Sequence, residues 1–245
     1  MSNISRRRLI TTGIAATASV SGLAVAARLA DRYGLLPPDP GGIYGPGKTL
    51  TYAAQRLLTQ HSSAREFSRS QISQPPFANP VRSRGKDFDR LQSGGFADWK
   101  LTVEGMVARP ASLSLADLKT HPSSSQITQL VCEEGWSYVA EWTGVPLSHI
   151  LDRVGALPQA RYVVYLSMQD GWDGSIDMAD ALHPQTILTY GMNGGDLSVG
   201  CGGPLRMRVP RQLGYKSVKF INRVIVTDNL NQFPAEGSYS WYAGI

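Results

Sequence analysis

The sequence predicts an α+β fold with mixed sheets and short helices. Strand-like and helical segments are short and follow one another irregularly, no internal repeat occurs, and no regular succession of strand, helix and strand is visible. The chain has 245 residues, of which 42% are hydrophobic, enough for one good-sized hydrophobic core. We therefore expect one main α+β domain and not a regular βαβ array.

The individual elements are predicted from hydrophobic periodicity and capping residues. A run from Lys100 to Val107 alternates as a half-buried strand does. A short helix is predicted over Leu113–Leu118, with Ser114 as its cap, and a second over Pro146–Val154, which ends at Gly155. Further strands are predicted over Ile127–Val131, Arg161–Met168, Ile187–Tyr190, Leu205–Pro210 and Ser217–Thr227, and further helices over Leu50–Gln60 and Ile176–Leu182.

Residues 1–30 are predicted to be a twin-arginine signal peptide. The segment Ser5–Ile10 contains three consecutive arginines, Leu9–Ala27 is uncharged and rich in Ala, Gly, Ser and Thr, and Ala24–Ala26 fits a cleavage site. A transmembrane anchor is the alternative, because the uncharged run of 19 residues is just long enough to span a membrane. Its many small polar residues favour a signal peptide, which would act as a membrane anchor if it stayed uncleaved.

The rest of the chain is predicted to contain three parts. Residues 31–97 are a linker and N-terminal arm, residues 98–230 are the main domain, and residues 231–245 are a C-terminal tail. Within the linker, Gly42–Thr49 fits the P-loop pattern, but the Pro-rich segment before it is not a strand, so we interpret the match as coincidence. The net charge of +5 is spread without a basic stripe, which predicts no nucleic-acid partner.

The two cysteines are the most informative residues. Cys132 follows a strand-like run and opens a turn with Glu133, Glu134, Gly135 and Trp136. A thiol at the end of a strand suits a soft metal ligand or a nucleophile. In an oxidising compartment a Cys132–Cys201 disulfide ranks on spacing alone about equally with two separate thiols.

The segment Cys132–Ser137, followed by Trp142–Leu147, resembles the molybdenum-ligand segment of the sulfite oxidase superfamily, especially the periplasmic methionine-sulfoxide reductase catalytic subunits. The resemblance implies a sulfite oxidase-type molybdopterin-binding fold with one molybdenum–molybdopterin per chain. It also implies that Cys132 binds molybdenum beside two dithiolene sulfurs and oxo or hydroxo ligands. The twin-arginine route carries folded proteins, which suits a cofactor inserted before export.

The same resemblance assigns the other cofactor contacts. Arg206, in the loop Cys201–Arg206, is expected to reach the terminal phosphate of the pterin. Cys201 stands where the reductases have Asn, which removes an amide contact and brings a second sulfur toward the site. The predicted cofactor-binding residues are Asn79, Cys132, Ser167, Cys201, Arg206, Ser217, Val218 and Lys219.

The predicted activity is two-electron oxygen-atom transfer by an exported, periplasmic enzyme. Glu133 and Glu134 should repel sulfite, which favours reduction of a neutral small-molecule substrate such as a sulfoxide or N-oxide, with Glu134 as a proton donor. The alternatives are a sulfite-oxidising enzyme, or a non-catalytic exported binding domain with a Cys132–Cys201 disulfide. A membrane or soluble cytochrome is the expected electron partner, and the protein is expected to be a monomer.

Overall fold

A computed structural model describes residues 24–31, 34–39, 41–79, 85–169, 171–233 and 241–243. The chain divides into two compact units, Met1–Thr59 and Gln60–Ile245. Most of the predicted signal peptide lies outside the described residues, as do residues 234–240 and 244–245 of the predicted tail. In the described ranges, no helix combines the length and the apolar character needed to cross a membrane.

The first unit contains a helical stretch over residues 24–31 and helix α1 (Gly45–Thr59). Most of the P-loop match falls inside α1, and residues 34–39 and 41–44 before it contain no strand. The Lys48 ammonium group pairs with Asp39 at 2.9 Å. The backbone cradle that a P-loop requires is therefore not formed here.

The second unit contains the remaining elements. Its helices are α2 (Lys86–Ser93), α3 (Leu115–Thr120), α4 (Leu147–Val154) and α5 (Met178–Ala181), with 3₁₀ turns at Arg69–Gln71, Val199–Cys201 and Gly214–Lys216. Its strands are β1 (Lys100–Gly105), β2 (Ala111–Ser114), β3 (Ser124–Val131), β4 (Ser137–Pro146), β5 (Tyr162–Ser167), β6 (Gly174–Asp177), β7 (Ile187–Met192), β8 (Gly195–Asp196), β9 (Arg206–Arg208) and β10 (Ile221–Thr227).

The first sheet has the strand order β2-β1-β10-β5-β6. Strands β1 and β10 pair in parallel, whereas the other neighbours are antiparallel. Alternation along β1 buries Leu101 and Val103 in the main hydrophobic cluster, together with Leu147, Ile150 and Leu151 of α4. The predicted α+β class with mixed sheets is confirmed.

The second sheet has the order β3-β4-β7-β8, with β9 paired to β7. Strands β3 and β4 form an antiparallel hairpin whose closing pair is Val131 and Ser137. A Cβ at Gly144 of β4 would lie 2.1 Å from Leu188 O, so only glycine fits where β4 and β7 approach. This hairpin places Cys132 at the end of a buried strand.

Two predicted caps are confirmed. Ser114 caps α3, because its hydroxyl accepts a hydrogen bond from Asp117 N at 3.1 Å and Asp117 bonds back to it. Gly155 ends α4 in the left-handed conformation, with φ of 68°. Both are local signals that depend on a few neighbouring residues.

Several predicted boundaries are wrong. Leu113 and Ser114, the first two residues of the helix predicted over Leu113–Leu118, belong to strand β2, and α3 begins at Leu115. The helix predicted over Leu50–Gln60 begins at Gly45. Residues Gly174–Asp177 form strand β6, which pairs with β5, so the helix predicted over Ile176–Leu182 begins only at Met178. The Asp177 side chain accepts from Asp180 N at 2.9 Å and fixes that start. The strand predicted over Ser217–Thr227 begins at Ile221, after a turn.

The segment over residues 64–73, which includes the 3₁₀ turn Arg69–Gln71, crosses the β3–β4 hairpin. Phe67 N donates to Ile127 O at 2.9 Å on β3, and Ser73 N donates to Val139 O at 2.9 Å on β4. Between these two contacts, Arg69 pairs with Glu141 at 2.6 Å. The segment therefore contacts both strands of the hairpin.

Candidate functional site

The turn between β3 and β4 presents the Cys132 thiol. Cys132 N donates to Trp136 O at 2.9 Å, and Gly135 N donates to Cys132 O at 3.2 Å. Gly135 has φ of 90°, in the left-handed region that favours glycine. The backbone of this five-residue turn is thus hydrogen-bonded across its base, which fixes the position of Cys132.

The thiol lies in a partly apolar and locally acidic environment. Cys132 is 8% exposed, and its Sγ lies 3.8 Å from Glu134 Oε2. The pKa of the Cys132 thiol is raised to about 11, mainly by burial and also by the neighbouring carboxylate of Glu133, while a backbone hydrogen bond at Glu134 opposes the rise. Without a bound cation, the protein holds this group as a neutral thiol.

Cys132 opens onto a pocket of about 620 Å³. Six of the nine predicted site residues line it: Asn79, Cys132, Arg206, Ser217, Val218 and Lys219. The other lining residues are Leu130, Glu133, Trp136, Gln169, Trp172, Gly214 and Tyr215. The fold therefore brings residues from the N-terminal arm, the β3–β4 turn and the segment after β9 into one cavity.

Two cations on the pocket wall are held by backbone carbonyls. Arg206 is 4% exposed and donates to Ser217 O and Cys201 O, each at 2.9 Å. Lys219 Nζ donates to Asn79 O and Gly200 O, each at 2.8 Å. Carbonyl partners fix the positions of these groups without neutralising their charge, so this wall is suited to an anion.

Two positions of the loop before Arg206 have no room for a side chain. A Cβ at Gly202 would lie 2.8 Å from Lys219 Cγ, and this residue has φ of +111°. A Cβ at Gly203 would lie 2.2 Å from Leu197 O. Glycine is needed here because it lets the backbone approach the cationic wall closely.

Three predicted site residues do not line the pocket. Glu134 lies beside it, where Oε2 accepts from Trp136 Nε1 at 2.8 Å and from Asn79 Nδ2 at 3.3 Å. Ser167 lies behind the wall, and its hydroxyl donates to Lys219 O at 2.9 Å. Cys201 is buried in the apolar cluster that contains Leu130, Tyr138 and Trp142, and both cysteines are free thiols in the structure.

Several lining residues were not predicted to be site residues. Glu133 is the most informative, because its Oε2 is buried and has no hydrogen-bond partner within the described residues, whereas of the two carboxylates the sequence predicted only Glu134 as a catalytic residue. Trp172 is 52% exposed, and Trp136 stacks against Phe77 with ring centroids 4.5 Å apart. The sequence signal for Glu133 was its position next to Cys132.

The donor set fits a cofactor that brings its own metal and anionic groups. No group of three or more His, Cys, Asp or Glu side chains suited to a metal ion occurs in the described part of the chain. A single thiolate at Cys132 therefore needs further ligands from the cofactor itself, as a dithiolene pterin supplies. The cationic wall at Arg206 and Lys219 suits its phosphate.

Comparison with known proteins agrees with this site. Residues 90–234 match the family described as "Oxidoreductase molybdopterin binding domain". This chain belongs to that family. The matched range contains every predicted site residue except Asn79.

Two similar proteins and one solved structure extend the comparison. A putative protein-methionine-sulfoxide reductase subunit, YedZ1 of Azospira oryzae, is 38% identical over 64% of this chain and 60% of its own length. The protein-methionine-sulfoxide reductase catalytic subunit MsrP of Ralstonia nicotianae is 34% identical over 60% of this chain and 50% of its own length. Sulfane dehydrogenase SoxCD from Paracoccus pantotrophus superposes with a TM-score of 0.53 and 20% identity, over 69% of this chain and 46% of that one.

The predicted sulfite oxidase-type molybdopterin-binding fold is thereby confirmed. The chain spans only 50 to 60% of the length of these two reductase relatives. Their complete activities and partners are therefore relevant to this chain as hypotheses.

Proposed function

We propose that this protein is an exported molybdenum-cofactor oxidoreductase that reduces a sulfoxide or N-oxide by two-electron oxygen-atom transfer. The observation that carries the proposal is the buried thiol of Cys132, which shares one pocket with the carbonyl-held cations Arg206 and Lys219. A cofactor with a thiolate-binding metal and a phosphate is complementary to both features. Family membership and the names of the reductase relatives support the same reaction class.

Each residue of the pocket has its own proposed role in binding the cofactor. Cys132 would bind the metal, and Arg206 and Lys219 would bind the phosphate. The segment Ser217–Lys219 would contact the edge of the pterin, and Asn79 of the N-terminal arm would complete the pocket wall. Ser167 would act through Lys219, whose carbonyl it holds. Cys201 would contribute its main-chain carbonyl, which orients Arg206. When bound, the molybdenum cofactor would supply two-electron oxygen-atom transfer.

Glu134 is proposed to hold the proton that reduction of an oxide consumes. Its carboxylate lies 3.8 Å from Cys132 Sγ and is oriented by donors from Trp136 and Asn79. These neutral donors keep the carboxylate at the pocket without forming an ion pair. An oriented carboxylate next to the metal ligand is well placed to exchange protons with a bound substrate.

The charge at the thiol favours a neutral substrate. Glu133 lines the pocket and Glu134 lies beside it, so an anion such as sulfite would approach two carboxylates. Repulsion between close unit charges amounts to about 1 to 4 kcal/mol per pair at 4 Å, between bulk water and a protein surface. Reduction of a sulfoxide or N-oxide is therefore the proposed direction, and sulfite oxidation is the alternative outcome of the substrate test.

The proposed location, oligomeric state and electron partner of the protein are consistent with the names of its relatives. Both comparison proteins carry methionine-sulfoxide reductase names, and both are called subunits. We propose periplasmic location through the predicted twin-arginine signal, a monomeric catalytic unit, and a membrane or soluble cytochrome as electron partner. Cytochrome oxidation coupled to substrate reduction is the assay for that partner.

The first experiment measures molybdenum and pterin content in protein from a molybdenum-competent host. Wild type should contain about one molybdenum per chain, and Cys132→Ala should lose most of it. Cys201→Ala is the matched cysteine substitution, and it should keep its molybdenum because its sulfur packs among apolar side chains. Wild-type protein without molybdenum, despite adequate cofactor supply, would refute the proposal.

The second experiment assigns the direction. Loaded protein is assayed for reduction of dimethyl sulfoxide, trimethylamine N-oxide and methionine sulfoxide, and for oxidation of sulfite. Activity with an oxide and little with sulfite is expected. Efficient sulfite oxidation at low KM would overturn the proposed direction while leaving the cofactor assignment intact.

A further inference from the structure

Arg208 lies behind the pocket wall and is fully buried, with 0% exposure. Its guanidinium donates to Thr128 Oγ1 at 3.2 Å and to Gln129 O at 2.5 Å. Both acceptors are on β3, the strand that ends directly before Cys132. The same guanidinium donates to Ser217 Oγ at 3.3 Å. One side chain thus connects the strand that presents the thiol with the segment proposed to bind the pterin.

Arg208 and Arg206 place two cations next to one indole. Their Cζ atoms lie 5.2 Å and 5.5 Å from the ring centroid of Trp142, which is fully buried. Neither guanidinium forms an ion pair with a carboxylate within the described residues. Burial, and then repulsion from Arg206, lowers the pKa of Arg208 to about 9, so the group remains charged at neutral pH.

Two buried cations without a carboxylate carry a desolvation cost and a mutual repulsion. An anion in the adjoining pocket offsets both, because its field reaches each guanidinium through a poorly polarisable interior. The Nε of Arg208 is buried and has no hydrogen-bond partner among the described residues, which also indicates that local hydrogen bonds do not fully compensate the group. Arg206 touches the pocket directly, whereas Arg208 acts through Ser217 and through its charge.

We propose that Arg208 is a positioning residue that holds Ser217 against β3, and a fixed positive charge that strengthens anion binding in the pocket and raises the molybdenum reduction potential. The effect on the reduction potential rests on the proposed function, whereas the positioning of Ser217 and the effect on anion binding do not. Ser217 transmits the effect, because its hydroxyl accepts from Arg208 and its carbonyl accepts from Arg206 at 2.9 Å.

The first test uses the full chain prepared without cofactor and inorganic pyrophosphate as the probe. Pyrophosphate should raise the unfolding temperature of wild type. Arg208→Gln should weaken its binding about tenfold, because the substitution removes one positive charge behind the pocket wall, where the effective dielectric constant is near 20. Arg208→Lys, which keeps the charge, should bind within about threefold of wild type. Arg223→Gln removes an exposed, surface-paired arginine and should change nothing.

The second test measures the molybdenum reduction potential of loaded protein by spectroscopic titration. Loss of the fixed charge in Arg208→Gln should shift the one-electron equilibrium about tenfold toward the oxidised state. This shift lowers the reduction potential by about 59 mV. Arg208→Lys and Arg223→Gln should stay close to wild type. A side chain that only fills the core would change stability without moving the potential.

Equal pyrophosphate binding and equal potentials in wild type and Arg208→Gln would overturn the proposal. So would failure of both Arg208→Gln and Arg208→Lys to accumulate as folded protein, since Arg208 would then be a packing residue. If wild type contains no molybdenum, the proposed function fails, but the pyrophosphate comparison still decides whether Arg208 supports anion binding.

Discussion

The buried carboxylate of Asp180 provides a strong test of the fold around the site. Asp180 is 0% exposed and accepts a hydrogen bond from Arg211 Nη1 at 2.9 Å, and its other oxygen accepts from the Gln212 amide. Arg211 and Gln212 precede the 3₁₀ turn Gly214–Lys216, part of which lines the pocket. The substitution Asp180→Asn keeps the shape of the side chain and removes its charge.

The expected cost is large because the buried guanidinium of Arg211 loses a charge partner. Breaking a buried ion pair from one side typically costs about 3 to 5 kcal/mol. In a chain of this size each kcal/mol lowers the Tm by roughly 2 to 4 °C, so a decrease on the order of 10 °C is expected. Calorimetry at pH 7 measures the Tm, and denaturant unfolding checks that the m value is unchanged.

Asp196→Asn is the matched control. Asp196 also pairs with a cation, Lys119 at 2.7 Å, but its side chain is 85% exposed. Such a surface pair contributes at most about 1 kcal/mol. Equal losses of stability in the two variants would refute the reasoning, because burial would then make no difference to the strength of the pair.

Three further predictions concern the loop, the pH response and the proton. Gly203→Ala should lose about 1 to 3 kcal/mol in denaturant unfolding, because the new Cβ would lie 2.2 Å from Leu197 O. His183 should make the protein less stable as the pH falls below about 6.5, because burial, and then Arg211, lowers its pKa in the folded state; His183→Asn should flatten the measured pH dependence. Glu134→Gln should lower turnover roughly 10²-fold or more in steady-state kinetics while the molybdenum content stays unchanged.

For each of these variants, one result would contradict the prediction. Gly47→Ala adds a Cβ that meets nothing within 4 Å and should not destabilise the chain, so an equal loss there would remove the steric explanation for Gly203. An unchanged pH profile in His183→Asn would assign the acid sensitivity to other groups. Full turnover in Glu134→Gln would exclude this carboxylate as the proton donor.

The parts of the fold that sequence predicted correctly depend on local signals. Ser114 and Gly155 are examples, since a cap needs only its own turn. Strand β4 was not predicted, because Ser137–Pro146 is buried on both faces over most of its length and lacks the alternation of a half-buried strand. Its neighbours β3 and β7, which are distant in sequence from one another, complete its environment.

The candidate site likewise combines residues that lie in recognisable sequence motifs with residues that only tertiary contacts bring to the pocket. Cys132, Arg206 and the segment Ser217–Lys219 were predicted from ordered motifs, and the fold brings them to one pocket. Asn79 reaches it along an arm whose course depends on tertiary contacts. Arg208 was treated as part of an ordinary strand, because only the folded structure shows that its guanidinium is buried between β3 and Ser217.

The arm over residues 64–73 has a consequence for how the protein behaves at high concentration. β3 lies at the edge of its sheet, and an edge strand offers unpaired amides and carbonyls to any other extended chain. On this edge, Phe67 N donates a hydrogen bond to Ile127 O, and Glu66 forms an isolated antiparallel bridge with Thr128. The arm therefore blocks intermolecular strand addition at the hairpin that carries the thiol, and its loss would favour self-association through that edge.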